Sequence, residues 1–232
     1  MNILIIDSAT EYCSCALATE KDVLSLGQLA PRQHTELILP MIDQLLAQAE
    51  LMPQQLTTVA FGCGPGSFTG LRIACGVAQG IAYAVDLPLL AISDLAALAQ
   101  AAHEQHHASH VVAALDARMS QIYWGAYQFD EKDKIARLCG EEKVSQAQHV
   151  VIPSLAAADE TSWLGTGSGW AAYATELQQT IARQGKIISA YFGETFPHAS
   201  HMVPLARFAA AQGQFLSPEL ASPTYLRDWT LR

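Results

Sequence analysis

The chain has 232 residues, half of them hydrophobic and 15% charged, which is the composition of a folded protein and excludes a disordered one. Its 13 Lys and Arg stand against 22 Asp and Glu, a net charge of −9, so the chain by itself repels nucleic-acid phosphates. No stretch approaches the roughly 20 apolar residues of a membrane span, and MNILIIDSATEY carries no basic leader region, so a cytoplasmic protein without membrane contact is expected.

In chain order, NILIID (2–7) predicts a buried strand that ends on Asp7. CSCALAT (13–19) and DVLSLGQLA (22–30), joined by the polar EKD, complete a three-stranded meander. Residues 34–51 predict a helix that Pro40 should kink or restart. TTVAFG (57–62) predicts a strand, 67–85 a helix that Ser67 can cap, PLLAI (88–92) a strand, and 93–107 a helix opened by Ser93. The pattern then starts again. HVVAALD (110–116) is an apolar run ending in Asp116, QIYWGAYQF (121–129) is the next strand, and 162–179 gives strand, glycine loop and helix. Between them, 128–153 lacks periodicity and predicts a short strand plus loops. The two series predict a duplicated α/β chain, divided near the polar, histidine-rich 102–109 into halves 1–104 and 105–232, with the last segment a candidate to pack back on the first half.

GCGPGSFTGLR (62–72) is the segment most suggestive of a ligand. Glycines let a backbone approach a phosphate, and a following helix start offers free N–H groups. The stretch is neither a P-loop, since Phe68, Thr69 and Gly70 stand where Gly-Lys-Ser/Thr is needed, nor a dinucleotide fingerprint, whose glycine spacing differs. A tight strand-to-helix turn is the main reading, with Asp7, Gly64, Gly66, Ser67 and Gly70 as weak candidates for touching a nucleotide. Two readings of Asp7 stay open: a carboxylate holding magnesium through water, or a cap on the following turn. For Asp116 the turn cap is favoured, with Arg118 close enough to pair.

Other chemistry is weaker. HEQHH (103–107) matches H-E-x-x-H but falls where its helix should end, and the third histidine of a metzincin would be Ala113. His198 and His201 have no further ligand at metal spacing, and the five cysteines, an odd count without C-x-x-C, predict buried thiols in a reducing compartment. No metal site and no catalytic residue is assigned. The helix at 67–85 is more informative. Gly76 and Gly80 lie in its interior, where each glycine costs about 1 kcal/mol relative to alanine. Close approach by a neighbouring element would offset that. Leu37, Met41 and Leu45 of the first helix, with Arg72, Gly76, Gly80 and Tyr83 of this one, are the expected interface.

MNILIIDSAT, GCGPGSFTGLR, ALDARMSQIYWGAY and PTYLRD together resemble the TsaB (YeaZ) family. The resemblance implies an actin-like ATPase (ASKHA) fold of two duplicated ribonuclease-H-like subdomains. It further implies a non-catalytic subunit that activates a catalytic paralogue, TsaD, in forming threonylcarbamoyladenosine at position 37 of tRNAs reading codons that start with adenine. The implied partners are TsaD, the ATPase TsaE and a second copy of the chain, with tRNA reached only through the complex. No tightly bound cofactor is implied; ATP or ADP with magnesium at the shared interface is the candidate the fold leaves. TsaD carries H-x-x-x-H on its first helix, where this chain has His34 and Ile38, and isoleucine cannot ligate a metal. The alternatives are an ATP-dependent phosphotransferase of the same fold and, more remotely, a metallopeptidase.

Overall fold

The computed structural model describes residues 1–154 and 162–227; Asp228, the last residue of PTYLRD, lies outside them. The described residues form two compact units, Met1–Ala97 with Pro197–Thr224, and Leu98–Phe196 with the described residues that follow Thr224.

In the first unit, β1 (Ile3–Asp7), β2 (Tyr12–Ala18) and β3 (Val23–Leu29) make the antiparallel meander. β4 (Thr58–Gly64) and β5 (Leu89–Ser93) join in parallel on the other side of β1, giving the order β3-β2-β1-β4-β5. Side chains alternate between the two faces of such a sheet. Leu4, Ile6, Cys13, Cys15, Leu17, Val59 and Phe61 fall on one face and pack with α1 (His34–Gln48) and α2 (Phe68–Ala84). The opposite face carries Asp7, Ser14 and Gly62 and lies under α5 (Ala199–Ala211), whose Ala199 N–H donates to Ser14 Oγ at 2.9 Å. Cover on both faces explains why β1 reads as an unbroken apolar run.

The second unit repeats the plan. β6 (His110–Asp116) pairs antiparallel with β7 (Ile122–Asp130), which pairs with β8 (Ile135–Ser145); β9 (Ser162–Thr166) and β10 (Ile187–Phe192) add in parallel, in the order β10-β9-β6-β7-β8. α4 (Ser168–Ala182) follows β9 as α2 follows β4. Strand-terminal Asp7 and Asp116 occupy the same place in the two halves. Trp170 forms the centre of this core, donating Nε1–H to Val112 O at 2.8 Å.

Three expectations are corrected. α1 runs unbroken through Pro40 and ends at Gln48; the proline sits on the exposed side, where water can serve the carbonyl it leaves without an amide. Residues 135–145, expected as mostly loop, form the eleven-residue edge strand β8, whose outer residues are polar on both faces and so show no alternation. The units part within α3 (Asp94–His106), not at 104/105, because Gln100 Oε1 already accepts the Ala136 N–H of β8 at 2.9 Å. The helix α5 and the strand β10 were not anticipated as elements. Pro204 inside α5 masks its helical pattern.

α5 has a titratable cap. His198 Nδ1 accepts the Ser200 N–H at 3.0 Å, so that nitrogen must be unprotonated. Burial, with His201 nearby, pulls the imidazole down from 6.5 to about 4. Above pH 6.5 the cap contributes its full stability; as pH falls from 6.5 through 4 that contribution is lost. His198→Ala should cost about 1 kcal/mol at pH 7, whereas His198→Asn should keep the cap and remove its acid sensitivity. Urea titrations at pH 7.5 and pH 5 check both.

Among the described residues, no helix is long and apolar enough to cross a membrane. All five cysteines are free thiols, four of them buried.

Candidate functional site

The glycine loop turns its close-approach surfaces inward. A methyl on Gly66 would collide with the carbonyl oxygen of Ala9, and one on Gly70 would collide with that of Ser8. The same turn takes the loop's polar groups. Ser67 N–H donates to Ala9 O at 2.7 Å, and Ser8 Oγ–H donates to Gly70 O at 2.8 Å. Ser67 caps α2 as expected, its Oγ accepting Gly70 N–H at 3.3 Å. Gly64 needs its freedom for two reasons: its φ is +116°, and a methyl there would lie 2.8 Å from Thr224 O. A phosphate cradle requires carbonyls turned away and amides turned out. Here the carbonyls of Ala9 and Ser8 lie against Gly66 and Gly70, so these two glycines serve the close approach of the chain's own turn.

Asp7 caps its turn, its Oδ1 accepting the Ala9 N–H at 2.8 Å. Its carboxyl is wholly buried. Asp94, which sequence reasoning passed over, comes beside it from the start of α3 and accepts the Gly64 N–H on Oδ2 at 2.6 Å. Its signal was present in the sequence, an acid directly after an apolar strand, as at Asp7. Asp116 also caps a turn, accepting the Arg118 N–H at 2.9 Å with the Arg118 guanidinium at 3.2 Å.

The expected interface residues separate into two groups. Met41 and Leu45 belong to the core of the first unit, Leu45 at 0% exposure, and Leu37 is half-buried against it. These leucines and their neighbours Ile38, Ile42 and Leu46 follow one i, i+4 stripe, which is the face α1 lays on its sheet. Met41 and Leu45 therefore leave the proposed surface; Leu39, 53% exposed, is the large apolar residue α1 turns outward. α2 has a buried and an exposed face. Gly70, Leu71, Ala74, Cys75, Ala78 and Ala82 face the core. Arg72, Gly76, Gly80 and Tyr83 recur at i, i+4, i+8, i+11 on the outer face, with Tyr83 70% exposed. Among the described residues, nothing lies within 4 Å of a methyl built on Gly76 or Gly80. The Arg72 guanidinium lies over the Phe68 ring, 3.3 Å from its centre.

The histidine motif is structural. His103 stacks on Phe129 with ring centres 3.2 Å apart, and its Nδ1 is 3.1 Å from Ala108 O. His106 stacks on Phe192 at 3.8 Å, and His107 ends the helix at φ +54°. His198 is committed to the α5 cap. Among the described residues, no three His, Cys, Asp or Glu side chains are grouped to hold a metal ion. His34 is buried with Nε2 lacking a hydrogen-bond partner, and Ile38 is packed in the core.

The chain matches the family model of TsaD, tRNA N6-adenosine threonylcarbamoyltransferase, over residues 26–229. It is 36% identical over 230 residues to the tRNA threonylcarbamoyladenosine biosynthesis protein TsaB of Escherichia coli (strain K12), covering 98% of this chain and 95% of that one. The chain belongs to the TsaB (YeaZ) family. The TsaB of Haemophilus influenzae is 37% identical over 233 residues, with 98% and 94% covered. YeaZ from Pseudomonas aeruginosa superposes with a TM-score of 0.88 at 41% identity, covering 97% of this chain and 99% of that one. Together with two five-stranded sheets of one topology, these likenesses give the chain the actin-like (ASKHA) fold expected of a TsaB protein.

Proposed function

We propose that this chain is a non-catalytic partner subunit in the formation of threonylcarbamoyladenosine at position 37 of tRNAs reading codons that start with adenine. It docks a catalytic paralogue of the TsaD family on the outer face of α2 and activates it. The observation that carries the reading is the pair Gly76 and Gly80, interior helix glycines with open space in front of them. Each costs about 1 kcal/mol of helix stability, and no packing among the described residues accounts for the cost. Close approach of a second chain does.

Three features support the rest. The second histidine of the TsaD pattern is Ile38, buried in the core. The glycine loop is closed by Ser8 and Ala9, so the role needs no nucleotide on this chain's own loop. A net charge of −9 leaves tRNA to be held by the other subunits, in the cytoplasm, where TsaE also joins. A second copy of the chain uses the same face when the paralogue is absent.

The test is reconstitution. The chain alone should transfer no threonylcarbamoyl group to tRNA, the paralogue alone should be slow, and the two together should be fast. Full transfer by the paralogue without this chain would contradict the reading.

A further inference from the structure

Asp7 and Asp94 approach each other over Gly62, both wholly buried. A methyl on Gly62 would lie 2.7 Å from Oδ1 of each, so glycine is what leaves the two carboxyls room. Ala9 N–H donates to Asp7 and Gly64 N–H donates to Asp94. Asp7 Oδ2 receives no amide or hydroxyl hydrogen. Two Oδ1 atoms each 2.7 Å from one point place the carboxyls side by side. Ionised carboxylates only accept, so a bond between two of them requires a proton on one.

From β2 the titratable neighbours are the thiols of Cys13 and Cys15, themselves pushed up by burial. β4 presents Gly62, and α5 presents the Met202 methyl, 3.2 Å from the same built Cβ. α2 approaches through Gly70, which bonds Ser8. Among the described residues, none of the groups acting on Asp7 is a cation. Two adjacent buried negative charges would be strongly unfavourable.

We propose that Asp7 and Asp94 hold one proton between them, which stands where a cation would otherwise be required and fastens the β1–β2 turn to the glycine loop. The pair spans the junction from both sides. Asp7 holds Ala9, whose carbonyl accepts the Ser67 N–H, and Asp94 holds Gly64. The proton thus fixes the platform from which α2 starts. This inference concerns the interior of the first unit and does not depend on the docking role of α2.

The pH dependence has a definite sign. Burial pushes the Asp7 carboxyl up from 3.8 to about 6, against the opposing bonds from Asp94, Ala9 and Ser8. The native pair therefore binds more proton than the unfolded chain between those values. Its stabilisation is complete below pH 3.8 and is lost as pH rises through about 6. An ordinary ionised cap would show the opposite trend.

The experiment compares the full chain with Asp7→Asn by thermal unfolding from pH 4.5 to 8, with and without magnesium chloride. Asn keeps the acceptor for Ala9 and supplies a permanent N–H toward Asp94. The variant should melt a few degrees above wild type at pH 8, the gap should close toward pH 4.5, and magnesium should shift neither. A variant less stable than wild type at pH 8 would overturn the proposal. So would a magnesium-dependent rise in wild type that the variant loses. Should Asp7→Asn not fold, Asp94→Asn and the side-chain carboxyl 13C shifts of wild type give the same decision. Coupled titration of the two groups near pH 6 supports the shared proton, and independent titration near 4 refutes it.

Discussion

Gly70→Ala should destabilise the first unit by about 4 kcal/mol or more, the range reserved for direct backbone conflict. The added methyl has no rotamer to choose; it would sit in the carbonyl oxygen of Ser8. Relief requires moving either the β1–β2 turn or the first turn of α2. The turn is held by Ala9 on Asp7 and by Ser67 on Ala9. The helix start is held by the Ser67 cap and by Ser8 Oγ on Gly70 O. Neither side can give cheaply. Urea denaturation followed by far-UV circular dichroism measures the loss, and Gly66→Ala, which meets Ala9 in the same way, should be second in severity. A Gly70→Ala protein within 1 kcal/mol of wild type would show that the loop does not close on its own chain.

The same loop shows where sequence reading stops. Glycines ahead of a helix are compatible with a phosphate or with a tight turn, and the local residues do not decide between them. The deciding contact comes from Ser8 and Ala9, some sixty positions earlier in the chain. Elements with a simple environment were legible. β1 and β6 are covered on both faces and read as apolar runs ending in aspartate, and that repeated ending exposed the duplication. Elements with a mixed environment were not. β8 and β10 are edge strands with much of their surface in water, and α5 carries Pro204. On α1, Met41 and Leu45 were expected at the interface, although the spacing Ile38, Met41, Ile42, Leu45, Leu46 already describes a single buried stripe. On α2 the glycines were legible as a departure from helix propensity, but their direction was not, since small residues lie on both faces of that helix.

That direction underlies the second large effect. Gly76→Ala and Gly80→Ala should each stabilise the isolated chain, by about 0.5–1 kcal/mol, because alanine is the better helix former and its methyl meets nothing. One helix therefore holds glycines whose replacement acts in opposite senses, strongly adverse at Gly70 and mildly favourable at Gly76 and Gly80. Docking should reverse the benefit. A leucine at Gly80 projects four carbons from the surface on which a partner would have to lie, between Gly76 and Tyr83. Binding should weaken about 100-fold, equivalent to about 2.7 kcal/mol, while the thermal unfolding of the monomer is unchanged or slightly raised. Tyr83→Ala should weaken docking less, since it removes contact area without adding bulk.

Sedimentation equilibrium of wild type and Gly80→Leu, each alone and mixed with the TsaD-family paralogue, tests the central claim most directly. The wild type should self-associate and form the mixed complex, and the variant should remain a folded monomer in both samples. A variant that associates as tightly as wild type would contradict the assignment of this face as the docking surface.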